Sequence, residues 1–206
     1  IDNTVIFSKI RVEGETLARN YYRKEFGYDD VSLDEIYDFL EKNYPLSKNI
    51  WDEMKSYEKQ LEIEFANVRN TGKELFDLAV ACEKRVFLIT DMYLDRETIE
   101  TILKKNSIDG FEKIYISSEE RKLKYNGELF QAMLSDVSIE AKSVLHIGDT
   151  WNADIVGSKK VGINNIFLPK AIDVFENKIH DKTTNRCADI ARCICEEYVD
   201  YDKVKN

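Results

Sequence analysis

Residues 143–168 read SVLHIGDTWNADIVGSKKVGINNIFL, and this stretch decides the fold. SVLHIG is a short apolar run, too brief for a helix and without polar alternation, as a buried parallel strand should be. NADIVGSKKVG is helical in spacing and stops at Gly162. NIFL is a second strand-like run. A strand, a helix and a strand in so little chain is the repeating unit of an open parallel sheet. Gly148 and Asp149 stand where the first strand ends, and Asp154 follows five residues later.

Working outward, the alternation continues. RVFLIT (85–90) and KIYIS (113–117) are further strands. TGKELFDLAVACEK (71–84), DRETIETILKKN (95–106) and NGELFQAMLSDV (126–137) are helices between them. IDNTVI, residues 1–6, reads as the carboxyl end of a first strand. NRCADIARCICEEYV (185–199) reads as a closing amphipathic helix.

One block breaks the rhythm. GETLARNYYRKEFG (14–27) is helical and stops at Gly27. SLDEIYDFLEKNY (32–44) opens on Ser32 as N-cap, with Glu35 completing a capping box. Past Pro45, LSKNIWDEMKSYEKQLEIEFANVR (46–69) reads as one long amphipathic helix, with Ile50, Met54, Tyr57, Leu61 and Phe65 on its apolar face. The expected architecture is α/β: a doubly wound parallel-sheet core of residues 1–12 and 70–206, with an all-helical cap of residues 13–69 inserted after the first strand. The block is expected to act as a lid hinged near residues 8–12 and 69–72.

Composition limits the function. The 206 residues are 43% apolar and 33% charged, with 2 Pro and 8 Gly, so little of the chain is linker. A net charge of −9 argues against a nucleic-acid surface, which needs clustered Lys and Arg. No apolar run approaches the ~20 residues of a membrane span. Cys82, Cys187, Cys193 and Cys195 have no partner ligands at metal spacing, and neither His146 nor His180 supplies them. Reduced cysteines fit a cytoplasmic protein.

In open parallel sheets, chemistry sits at the carboxyl ends of the strands. Four such ends carry polar residues: Asp2, Asn3 and Thr4; Thr90 and Asp91; Ser117 and Ser118, followed by Lys122 and Lys124; and Asp149 with Asp154. Each alone reads as a cap or a solvated side chain, and Asp95 is only an N-cap. Together they offer carboxylates for a hard cation, a hydroxyl and a lysine, which suits a phosphate group held with Mg²⁺.

Taken in order, these strings resemble the haloacid dehalogenase (HAD) superfamily over nearly the whole core. IDNT resembles the end of its first motif, Asp-x-Asp-x-Thr. LITD resembles the second. Lys124 in KYNGELF resembles the third-motif lysine, preferred over Lys122. GDTWNAD resembles the fourth. FLITDMYL, ISSEERKLKYNGELF and LHIGDTWNADIVGSKKVGI look closest to a bacterial branch found beside or fused to surface-polysaccharide enzymes, and the helical block resembles a C1-type cap.

The resemblance implies phosphoryl transfer through an aspartyl-phosphate, with the nucleophilic Asp expected immediately before Ile1. Asp2 would be the acid and base, and its presence favours phosphate esters over carbon–halogen bonds. Thr90, the backbone near Asp91 and Met92, and Lys124 would bind the phosphoryl oxygens. The Asp2 carbonyl and Asp149 would hold Mg²⁺, and Asp154 would orient Lys124 or a metal-bound water. Asn3 and Thr4 would shape the turn. The implied substrate is a small phosphorylated metabolite such as a sugar phosphate, and a glycosyltransferase is a candidate partner or fused domain. Tyr21, Tyr22, Trp51 and Tyr57 could touch a sugar or pack the core. A phosphomutase or phosphotransferase on the same scaffold, and a non-catalytic binding module, stay open as alternatives.

Overall fold

A computed structural model describes the backbone of residues 3–170 and the side chains of residues 7–170. Asp2, the closing helix expected at 185–199, and Cys187, Cys193 and Cys195 lie outside the described residues.

Three helices form a layer of their own: α1 (Asn3–Phe26), α2 (Leu33–Asn43) and α3 (Lys48–Phe65). The helix α1 ends as expected, with Gly27 in the left-handed region at φ +72°. The capping box of α2 is complete. The Glu35 N–H donates to Ser32 Oγ at 3.3 Å, and the Ser32 N–H donates to Glu35 Oε2 at 2.8 Å. At the other end of α1, residues 3–6, expected as part of a strand end, are its first turn, and the helix runs through residues 8–12 without a break. The hinge expected there has no counterpart in the backbone.

Helix α3 turns a different face inward from the one the sequence pattern suggests. Met54 packs against the core as the pattern suggests, but Ile50, Tyr57 and Phe65 are exposed and Trp51 is buried. The reason is a charged network inside the layer. Arg11 donates to Glu58 at 2.7 and 2.8 Å and to Glu15 at 2.9 Å, and the Tyr37 hydroxyl donates to Glu58 at 2.7 Å. A buried guanidinium must be paired, so Glu58 takes the inward position and the helix rotates with it. Helix α3 also stops at Phe65 instead of running on to Arg69. Lys105 Nζ donates to the carbonyls of Ile63 at 2.9 Å and Ala66 at 3.3 Å, and Asn106 Nδ2 donates to Ala66 at 3.0 Å, which closes the helix end.

The alternating half follows: α4 (Asn70–Ala81), β1 (Phe87–Thr90), α5 (Arg96–Lys105), β2 (Lys113–Ile116), α6 (Ser117–Glu120), α7 (Glu128–Val137), β3 (Leu145–Gly148), α8 (Gly157–Lys160) and β4 (Asn164–Phe167). Strands β1 and β2 pair in parallel, with Thr90 opposite Ile116. Strands β3 and β4 also pair in parallel, with Gly148 opposite Phe167. Among the described residues these are two separate two-stranded sheets. NADIVGSKKVG is not one regular helix: residues 151–156 form a π-helical turn that passes into α8.

Two apolar clusters hold the molecule together. One joins the helical layer to the segment after β1: Val31, Leu33, Ile36, Leu40 and Trp51 pack with Leu94, Met92, Ile99 and Ile102. The other joins β2 and α7 through Tyr115, Leu129, Phe130 and Met133, with Ile163 beside them. The helical layer therefore rests on α5 and on the rim residues that follow β1. No helix among the described residues is long and apolar enough to cross a membrane.

Candidate active site

Because β1 and β2 run parallel and in register, the residues that follow each strand emerge side by side. Met92, two residues past β1, donates its N–H to Ser117 Oγ at 2.8 Å, directly after β2. The Lys124 N–H donates to Asp91 Oδ1 at 3.0 Å. That bond draws the loop between α6 and α7 toward the end of β1.

The Lys124 side chain then crosses to the other sheet. Its Nζ donates to Asp154 Oδ1 at 2.5 Å, with both side chains largely shielded from solvent. Asp154 sits in the π-helical turn just past β3. Its second oxygen, Oδ2, accepts the Thr150 N–H at 2.8 Å, and His146 Nε2 lies 3.1 Å from Oδ1. Lys124, and not Lys122, makes this pair.

Two glycines permit the approach. A Cβ on Gly148 would lie 2.3 Å from Asp154 Cγ, and one on Gly157 would lie 2.0 Å from the Lys124 carbonyl oxygen. Any side chain at either position would push the lysine and the aspartate apart. The glycines of GDTWNADIVG thus leave space for the ion pair at Gly148 and for the Lys124 backbone at Gly157.

The electrostatics separate the two aspartates. Burial pushes Asp154 up, but the bond with His146, the Lys124 charge and the Thr150 N–H outweigh it and hold the carboxyl well below the usual range. Asp91 is raised, because burial there exceeds the opposing pull of Lys124.

The sequence-derived site residues therefore divide. Thr90, Asp91, Lys124 and Asp154 gather at one rim, formed by the ends of β1 and β3 and the loop between them. Asp149 stands beside Asp154 in sequence, and its Oδ1 accepts from Thr150 Oγ1 at 3.1 Å. The Met92 N–H, expected to face a phosphoryl oxygen, is taken by Ser117. Both oxygens of Asp154 meet protein donors, and these hold the aspartate against Lys124. Among the described residues no three His, Cys, Asp or Glu side chains converge on a metal position. Mg²⁺ takes about six oxygens, and among the described residues Asp149 would supply one carboxylate toward that shell.

Sequence reasoning passed over His146 as a partner of Asp154. The available signal was a polar side chain in an otherwise apolar strand, two positions before Gly148.

The haloacid dehalogenase-like hydrolase family profile matches residues 7–168. The chain belongs to the haloacid dehalogenase-like hydrolases.

Solved structures of the same fold agree. A dehalogenase with an intermediate complex has a TM-score of 0.55 at 14% identity, over 82% of this chain and 74% of that one. HAD-hydrolase YfnB from Bacillus subtilis, bound to magnesium, has a TM-score of 0.54 at 16% identity, over 78% of this chain and 72% of that one. An uncharacterized protein from Listeria monocytogenes serotype 4b is 27% identical over 49% of this chain and 60% of that one, with a TM-score of 0.43, a likeness too loose to define the fold. The chain thus spans 60% of the length of the Listeria protein. Among curated proteins, none matches the sequence. The rim described above lies at the carboxyl ends of strands, where ligands bind in open parallel sheets.

Proposed function

We propose that the protein is a Mg²⁺-dependent phosphohydrolase acting on a small phosphate ester, such as a sugar phosphate, through an aspartyl-phosphate intermediate. The observation that carries this reading is the Lys124 ammonium, shielded from solvent and fixed by Asp154 at the rim where β1 and β3 end. A preorganised cation in a low-dielectric site is what phosphoryl oxygens require as charge builds on them. Thr90, at the end of β1, supplies a hydroxyl on the same rim.

On this reading Asp2 acts as acid and base. Asp149 contributes one oxygen to Mg²⁺, with further donors from outside the described residues. When bound, the ion neutralises charge between carboxylate and phosphate. The helical layer of α1, α2 and α3 acts as the specificity cap, of C1 type, over the alternating half that starts at residue 70. A cytoplasmic setting and a surface-polysaccharide glycosyltransferase as partner or neighbouring domain complete the proposal.

Dehalogenation is the competing chemistry, since a dehalogenase shares the fold. Asp2 argues against it, because a carbon–halogen bond needs no acid for its leaving group. The test is to offer the full chain a phosphate-ester library and a set of 2-haloacids, and to measure phosphate and halide release. Phosphate release supports the reading. Halide release without phosphate release overturns it, and release of neither gives the binding-module alternative its place.

A further inference from the structure

A buried carboxylate in the helical layer reaches into this rim. Asp30, in the turn between α1 and α2, is 1% exposed. Its Oδ1 is paired with Arg19 and accepts the Val31 N–H at 2.8 Å. Its Oδ2 accepts from the Ser117 hydroxyl, across 87 residues of sequence. Ser117, itself fully buried, uses the same oxygen to accept the Met92 N–H at 2.8 Å. Met92 adjoins Asp91, and Asp91 accepts the Lys124 N–H at 3.0 Å. The Lys124 ammonium ends the chain on Asp154 at 2.5 Å.

These contacts form one unbroken path from the helical layer to the cation of the site. A second contact pins the same junction. Arg121, three residues before Lys124, makes a bidentate pair with Glu35 at 2.6 and 2.9 Å and donates to the Asp30 carbonyl at 3.2 Å. The polarity of each link is dictated. The carboxylate can only accept, so the Ser117 proton must point at Asp30. That leaves the Ser117 lone pairs for Met92. A serine without the carboxylate could rotate and release the Met92 amide.

We propose that Asp30 is a positioning residue of the rim: through Ser117 it fixes the corner formed by Thr90, Asp91 and Met92, and so the place of Lys124. Seating of the helical layer and assembly of the cation site are then one event. Calling that corner phosphate-binding rests on the proposed function; the linkage itself does not.

Amide hydrogen exchange of the full chain, read residue by residue without substrate, tests the linkage. In the unaltered protein the Met92 amide should be protected. Ser117→Ala should speed its exchange by about tenfold or more, the scale of losing a buried hydrogen bond, while amides of α7 keep their rates. Asp30→Asn should do the same to a smaller degree, since Asn can still hold Ser117 but not orient its proton. Unchanged Met92 exchange in Ser117→Ala would overturn the proposal. If both variants fail to fold, an unprotected Met92 amide in the unaltered protein overturns it, and a protected one supports it.

The functional arm is separate. If the protein releases phosphate, Ser117→Ala should lower kcat and kcat/KM together, as loss of transition-state positioning does; a rise in KM alone would overturn the assigned role. Absence of phosphate release would end the phosphatase reading while leaving the exchange result to decide the linkage.

Discussion

Replacing Gly157 by Ala would set a methyl carbon 2.0 Å from the Lys124 carbonyl oxygen and 2.9 Å from its carbonyl carbon. Ordinary contact begins at 3.4 Å, so one backbone or the other must move by more than an ångström. Neither can yield by a rotamer change, because the obstacle is main chain. On the far side, Phe130 Cε2 already stands 3.4 Å from the new carbon, and Phe130 is buried. The yielding segment is therefore the Lys124 loop, whose side chain is paired with Asp154 at 2.5 Å. Overpacking of this kind costs about 1–3 kcal/mol. A shift of about 1 Å in a charge partner costs on the order of 10²-fold in turnover. Gly14→Ala is the matched control. Its Cβ would meet Leu40 Cδ2 at 2.2 Å, a side-chain atom in the helical layer. It should lower stability comparably and cost turnover per folded molecule far less. Urea unfolding measures the first quantity, and phosphate release at saturating substrate measures the second. If Gly157→Ala retains full turnover, the close approach of the two backbones does not place Lys124, and the reasoning fails.

Lys124→Ala should lower turnover by at least ~10²-fold, whereas Lys122→Ala should do little; steady-state kinetics on both variants would expose a reversed order. Asp149→Ala should abolish metal-dependent turnover without lowering the thermal midpoint, and full turnover in excess chelator would refute the magnesium role. The pH dependence of stability should carry the Asp154 signature. Its folded pKa lies well below the usual carboxylate value, so its contribution is complete above about pH 5 and is lost as pH falls through the folded value. Asp91 is raised and works in the opposite sense, its share fading as pH rises through its folded value. Urea unfolding from pH 5 downward should therefore show a shallower acid slope for Asp154→Asn than for the unaltered protein, and an unchanged slope would count against the pairing.

By itself, the sequence determined the elements whose signals are local. Ser32 with Glu35, and Asp95, start helices because a side-chain oxygen three residues away satisfies a free N–H. Gly27 ends α1 because it enters the left-handed region without strain. RVFLIT, KIYIS, SVLHIG and NIFL gave strands, as apolar runs too short for a helix do, although the burial expected of SVLHIG is not met: Leu145 and Ile147 are exposed, as are Ile166 and Phe167 of the strand beside it. The order of polar residues after those strands pointed to the rim. The tertiary structure decided what depends on partners far away in the chain. IDNTVI carries nothing local that tells a strand end from a first helical turn, and residues 3–6 are helical. The periodicity of α3 named an apolar face, yet Arg11 and Tyr37 required Glu58 inside and turned Ile50, Tyr57 and Phe65 outward. Asp30 looks like an ordinary turn residue, and His146 like a chance polar residue in a strand. Their roles appear only when Ser117 and Asp154 arrive from 87 and 8 residues away. Local hydrogen bonding is written in neighbouring residues; the compensation of buried charge is written in the fold.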